Sequence, residues 1–192
     1  MNLHLMDTNL IVLAAVAILI AVVLVRMEVQ KRRSTTAALR QKFGSEYDRA
    51  VKVHGSKRKA EGKLTERKKR VANLDLRTLD PGEQERFSKR WESVQSRFID
   101  SPKGAVTEAD DLLSSLMKAR GYPVADFEQR AADISVDHPR LMETFRSAHA
   151  IAVRIAKDAA NTEELRTAMI DFRFLFEAFV QMPPGVERRE VA

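Results

Sequence analysis

Apolar residues fill every position from Leu10 to Val25, a run of sixteen, and give way at once to Arg26 and then to Lys31, Arg32 and Arg33. No polar stripe interrupts the run, so a helix over it is apolar around its whole circumference. At 1.5 Å per residue the run makes about 24 Å of helix, which Thr8, Asn9, a snorkelling Arg26 and Met27 extend towards the roughly 30 Å of a hydrocarbon core. The pattern predicts a transmembrane helix over 9–27 behind a short external segment, 1–8. A cleaved signal peptide fits less well, because Met1 to Asn9 carries Asp7 and no Lys or Arg, and no small-x-small site follows Val25.

Beyond the run, apolar residues recur at spacings of three and four. Leu39, Phe43, Tyr47, Ala50, Val51 and His54 predict one long helix over 29–54, in which Gly44 permits a bend and which Gly55 ends. A second helix over 56–73 has only a thin stripe, Ala60, Leu64, Val71 and Leu74, among many cations. Leu74, Leu76 and Leu79 alternate with Asp75 and Arg77, as in an extended connector docked on a body. Asp80, Pro81 and Glu83 then combine a capping acid, proline at the first helical position and an acid at the third, so a helix starts there. Phe87, Trp91, Val94 and Phe98 share its inner face.

Four more helices follow. Pro102 opens one whose inner positions are Ala105, Val106, Ala109, Leu112, Leu113, Leu116 and Met117, stopped by Gly121, Tyr122 and Pro123. A short one over 124–134 carries Phe127, Ala131 and Ile134. Asp137, His138 and Pro139 open another to about Ala156. Asn161 with Glu164 caps the last, over 161–181, rich in phenylalanine on its apolar face. No strand alternation and no fixed-period repeat appear. The fold class expected is all-α: an N-terminal transmembrane helix, a basic helical stalk with its connector over 28–79, a cytoplasmic helical bundle over 80–181, and a disordered tail over 182–192.

Charge sharpens this picture. The chain carries a formal net charge of +6, but unevenly. Residues 26–70 hold sixteen Lys and Arg against five Asp and Glu, whereas 71–192 hold seventeen against twenty-one. The cations flank only the C-terminal end of the apolar run, so the positive-inside rule places the N-terminus outside and the body in the cytoplasm. The chain has no cysteine, in agreement with a body that needs no disulfides.

Two partners fit the basic region: anionic lipid head groups or nucleic acid. A solvated helix face that only keeps the stalk soluble is the plain alternative. Arg26, Lys31, Arg32 and Arg33 lie close enough to the apolar run to meet lipid head groups. Lys57, Arg58, Lys59, Arg67, Lys68, Lys69 and Arg70 form a second basic patch, which reaches lipid only if its helix folds back. Nucleic acid has less support, since Phe43 and Tyr47 are the region's aromatics and both lie on the apolar stripe.

Asp133, Asp137, His138 and His149 have the residue types of a metal or acid/base site. Each also has a structural use: Asp137 before His138 and Pro139 suits a helix start, Asp133 can pair with Arg130 or Arg140, and His149 edges an apolar stripe. His54 suits a helix C-terminus. Trp91 and the phenylalanine face read as core. No glycine-rich phosphate loop and no nucleophile arrangement is present, so no catalytic residue, metal ligand or cofactor is assigned. The reading is a membrane-anchored, non-catalytic interaction or scaffold module with a cytoplasmic protein partner, the stalk contacting anionic lipid. A tethered nucleic-acid-binding or regulatory protein is second, and an enzyme third.

The segments KFGSEYDRAV (Lys42 to Val51), VQSRFIDSPKGAVTEAD (Val94 to Asp110), RGYPVADFEQRAADISVDHP (Arg120 to Pro139) and FRSAHAIA (Phe145 to Ala152) resemble those of a bacterial family of uncharacterised proteins, many with an N-terminal membrane helix. The resemblance spans most of residues 40–180 and implies a bacterial inner membrane as the setting. It implies no activity and carries over no functional residue.

Overall fold

The computed structural model describes residues 2–123 and 125–182, and among side chains before residue 15 only that of Leu13. The expected tail from 183 onwards, and the side chains of the external segment and of the first part of the apolar run, lie outside the described residues. The chain divides into two compact units, Met1–Gln41 and Lys42–Ala192.

The first unit is helical. Helix α1, Asn2–Phe43, runs through the apolar stretch and the cations behind it without interruption. Its described apolar side chains between Leu13 and Val29 stand exposed on all sides, among them Leu13 at 66%, Val22 at 49% and Val25 at 63%, whereas Leu39 and Phe43 at its end are buried. Among the described residues, however, no helix is long and apolar enough to cross a membrane. This overturns the transmembrane helix expected over 9–27. The physical reason is length: the purely apolar part ends after about 24 Å against the roughly 30 Å of a hydrocarbon core, and Thr8, Asn9 and Arg26 lengthen it only with polar groups.

The long helix expected over 29–54 is broken. Gly44 takes φ +52°, ending α1, and α2 begins at Ser45 (Ser45–His54). Gly55, at φ +71°, closes α2 with its N–H on the Val51 carbonyl, as expected of a left-handed C-terminal cap. Ser56 caps α3, Lys57–Ala72, by accepting from the Lys59 N–H. α2 and α3 pack as a hairpin, with Tyr47, Ala50, Ala60 and Leu64 between them and the Tyr47 hydroxyl donating to Glu61 Oε1 at 2.9 Å. This hairpin, set with the stalk by its charge, lies in the compact unit that starts at Lys42.

The connector docks as its alternation implies. Leu76 and Leu79 are buried, and the Arg77 N–H donates to the Arg120 carbonyl at 3.0 Å. The dock depends on Gly121, whose φ is +93° and where a Cβ would stand 2.2 Å from the Asp75 carbonyl oxygen. Only glycine permits that backbone and that approach together. The reciprocal capping box of Asp80 and Glu83 then starts α4, Pro81–Arg97, and Pro102 starts α5, Pro102–Ala119.

Helix α6, Phe127–Asp137, starts three residues later than expected, because Asp126 is the capping residue and accepts from the Gln129 N–H. Its end differs too. Asp137 is the last residue of α6 instead of the cap of the next helix, and His138 closes α6 with its N–H on the Ile134 carbonyl. Pro139–Leu141 form one 3₁₀ turn before α7, Met142–Ala156. The Asn161–Glu164 capping box opens α8, Thr162–Gln181.

Helix α8 is the hub, packed against α5 and α7, while α3 packs on α6 and α4 on α5. Leu165, Ala168, Phe172, Leu175, Phe176 and Phe179 fill the centre, and each such large apolar side chain contributes about 1.5–3 kcal/mol by leaving water. Trp91 stacks on Phe176 with centroids 5.0 Å apart, and Tyr122 meets Phe179 edge-on at 6.1 Å. The aromatic face is therefore core. The fold is all-helical, with no strand among the described residues.

Candidate functional site

The cations separate into those that hold the fold together and those that face outward. On α1, Arg26, Lys31, Arg32 and Arg33 are all exposed. Arg32 Nε donates to Glu28 Oε1 at 2.9 Å, one turn away, and this bond holds the Glu28 carboxyl below its ordinary range. These four follow directly on the exposed apolar stretch.

On α3 the buried stripe decides which cations face solvent. Ala60, Leu64 and Val71 face inward, and Arg67, on the same side of the helix, is half-buried. Burial lowers the Arg67 pKa, with the nearby Glu46 carboxylate opposing the shift. Arg70 turns into the body: its Nε and Nη2 donate to Asp133 Oδ1 at 2.9 and 2.5 Å. Of the seven residues of the expected patch, Lys57, Arg58, Lys59, Lys68 and Lys69 stay exposed. Arg67 and Arg70 belong to the packing of α3.

Asp133 is 1% exposed, and Gln129 Nε2 donates to both of its oxygens at 3.1 Å. Local spacing offers Arg130 or Arg140 as its partner; the observed one, Arg70, comes from 63 residues away, which local spacing cannot reveal. Arg130 Nη1 instead donates to Ser114 Oγ on α5. A second pair, which local spacing does not suggest, joins α7 to α2: Arg146 donates to Glu46, with Nη2 to Oε2 at 3.1 Å. Glu46 is 5% exposed. Its signal was present, since position 46 lies between Phe43, Tyr47 and Ala50 on the apolar stripe, where a charged residue needs a partner.

His149 lies flat on Phe127, centroids 3.7 Å apart and planes within 5°, and Phe127 stacks in turn on Phe145 at 5.0 Å. The buried Nδ1 of His149 has no hydrogen-bond partner, and burial lowers its pKa against the pull of the Asp110 carboxylate. Burial raises the pKa of Asp110 for the same reason. His138, at the end of α6, is likewise shifted down by burial. Asp133, Asp137, His138 and His149 are not drawn together into one cluster. Among the described residues no group of three or more His, Asp or Glu is placed to hold a metal ion.

Besides the two exposed cationic sets, a recess of about 360 Å³ at the α5–α6 junction is lined by Asp111, Lys118 and Arg130, and larger recesses lie beside His138 and beside His149. No family model, curated protein or solved structure matches this chain.

Proposed function

We propose that this protein is a non-catalytic helical interaction module held at an anionic lipid surface. One observation carries the reading: the described apolar side chains of α1 between Leu13 and Val25 are exposed around the whole circumference and are followed immediately by the exposed cations Arg26, Lys31, Arg32 and Arg33. Such a helix left in water exposes a continuous apolar surface, which marks a contact with lipid or another protein. The absence of a polar face favours lipid, which surrounds a helix, over a single partner helix, which covers one stripe.

The cations beside it add about 1 kcal/mol each near an anionic surface. In this reading the run enters the lipid without crossing it, and the body presents its mildly acidic helices to a protein partner. The ionisable groups most suggestive of chemistry are engaged in packing, Asp133 with Arg70 and Glu46 with Arg146, which supports a binding role over a catalytic one.

Co-sedimentation of the full chain with vesicles tests the reading. Binding to vesicles containing phosphatidylglycerol is expected to exceed binding to pure phosphatidylcholine, to fall as salt rises, and to weaken when Arg26, Lys31, Arg32 and Arg33 are changed to Gln. Indifference to vesicle charge, or a preference for duplex DNA at physiological salt, would overturn it. Crosslinking from intact membranes would then identify the partner of the body.

A further inference from the structure

The turn of the α2–α3 hairpin gathers cations that the fold leaves unused. Lys52 and Val53 stand in the last turn of α2 and Lys57, Arg58 and Lys59 in the first turn of α3, with Gly55 and Ser56 between the helices. All five side chains are exposed, Val53 at 68%. Residues 52–60 contain no Asp or Glu, and none of the four cationic side chains has an ion-pair or hydrogen-bond partner among the described residues. The nearest acids do not neutralise them: Glu61 accepts from the buried Tyr47 hydroxyl, Glu66 pairs with Lys63, and Asp48 lies a turn further back on α2. The hairpin packs through Tyr47, Ala50, Ala60 and Leu64, to which neither Val53 nor these cations contribute.

We infer that the tip of this hairpin is a second contact with an anionic lipid surface, made by the body itself. The choice of surface rests on the lipid reading above. Two features favour lipid over nucleic acid. Val53 leaves water at the boundary of the acyl chains while four cations around it stay with the head groups, an arrangement that basic, apolar-tipped surface segments use at membranes. A phosphodiester backbone offers an apolar side chain no such place. Tyr47, the hairpin's one aromatic residue, is buried and gives bases no platform on which to stack.

The chain has no cysteine, so Val53→Cys carrying an environment-sensitive fluorophore reports on this one position in the full chain. A blue shift of its emission is expected with vesicles containing phosphatidylglycerol and not with pure phosphatidylcholine. The same label on Ile99→Cys, an apolar residue 83% exposed at the α4–α5 turn beside Asp100, should not shift. Changing Lys52, Lys57, Arg58 and Lys59 together to Gln should abolish the shift at Val53; all four face solvent, so the fold is kept. In a chain whose α1 cations are already Gln, the same four changes should lower vesicle binding by about tenfold or more. A chain that sediments with phosphatidylglycerol vesicles while its Val53 label stays unshifted, or shifts more with duplex DNA, would overturn this contact and leave that of α1 standing.

Discussion

Arg70 on α3 donates twice to a single oxygen of Asp133 on α6, and the two partners are unequally placed: the Arg70 side chain is 40% exposed, that of Asp133 1%. A residue that looks from its neighbours like one more surface cation is a cross-brace. The inequality makes the pair's two halves unequal to remove. Arg70→Met leaves a buried carboxylate with only Gln129, and a loss of about 3 kcal/mol is expected from urea unfolding, the lower end for a broken buried pair. Asp133→Asn leaves a guanidinium that can still reach water and keeps a polar partner, so about 1–2 kcal/mol is expected. Equal losses in the two variants would show that the pair is not buried in this way.

Two glycines with similar backbones should respond very differently to alanine. Gly55, at φ +71°, faces open space, so Gly55→Ala carries only the left-handed backbone penalty of about 1–2 kcal/mol. Gly121, at φ +93°, adds a Cβ clash 2.2 Å from the Asp75 carbonyl oxygen. Gly121→Ala must push the connector off the body, and a loss beyond about 4 kcal/mol, the exceptional end of single substitutions, is expected. Thermal unfolding of both variants checks the contrast.

The Arg120 side chain, 2% exposed, reaches from the end of α5 to close α8. Its Nη1 donates to the carbonyls of Phe179 and Met182 at 2.8 and 2.6 Å, supplying donors that the end of α8 lacks. Arg120→Met should therefore raise amide hydrogen exchange in the last turn of α8 well before that of its first turn, which the Asn161–Glu164 capping box holds independently. Uniform exchange along α8 would argue against a capping role.

Glu83 titrates low. Its hydrogen bonds to Arg77 and to the Asp80 N–H bring its pKa from 4.5 to about 2. A depressed carboxylate stabilises the fold above its unfolded pKa, and that contribution disappears as pH falls from about 4.5 to about 2. Glu83→Gln should thus flatten this part of the acid-unfolding curve, and carboxyl NMR should show Glu83 protonating well below the ordinary glutamate range.

His149 gives the opposite charge type and the same direction. Its pKa lies below the ordinary histidine value because burial disfavours the cation. The folded state binds this proton less readily than the unfolded chain, so stability is full above about pH 6.5 and declines as pH falls below it. His149→Phe, which keeps a ring against Phe127, should remove that decline in a pH series of unfolding curves.

Much of the helical plan was legible because it is local. The Asp80–Glu83 and Asn161–Glu164 boxes, Pro102 and Gly55 each act within one turn, and each appears where its residues stand. The junction around Asp137, His138 and Pro139 misled for an equally physical reason. An aspartate before proline suits a helix start, but Val136 and Ile134 are buried, and packing draws α6 through Asp137 before the chain turns. The basic patch was only partly legible: charge counts identify cations, but the buried stripe of α3 determines which of them face solvent. The recess at the α5–α6 junction was not legible at all, because Lys118 of α5 and Arg130 of α6 line it together only in the folded chain.

By itself, the sequence determined that the chain is helical, several of the caps, most of the apolar core faces and the uneven distribution of charge, since each depends on groups within a few residues of one another. It also supplied the sixteen-residue apolar run, whose composition suggested a span that its length does not support. Only the tertiary structure decided that Arg70 braces Asp133, that Arg146 meets Glu46, that Arg120 closes α8 and that Gly121 admits the connector. Those contacts join residues between about forty and one hundred positions apart, where the identity of a charge says that a partner is needed and the packing of helices chooses it.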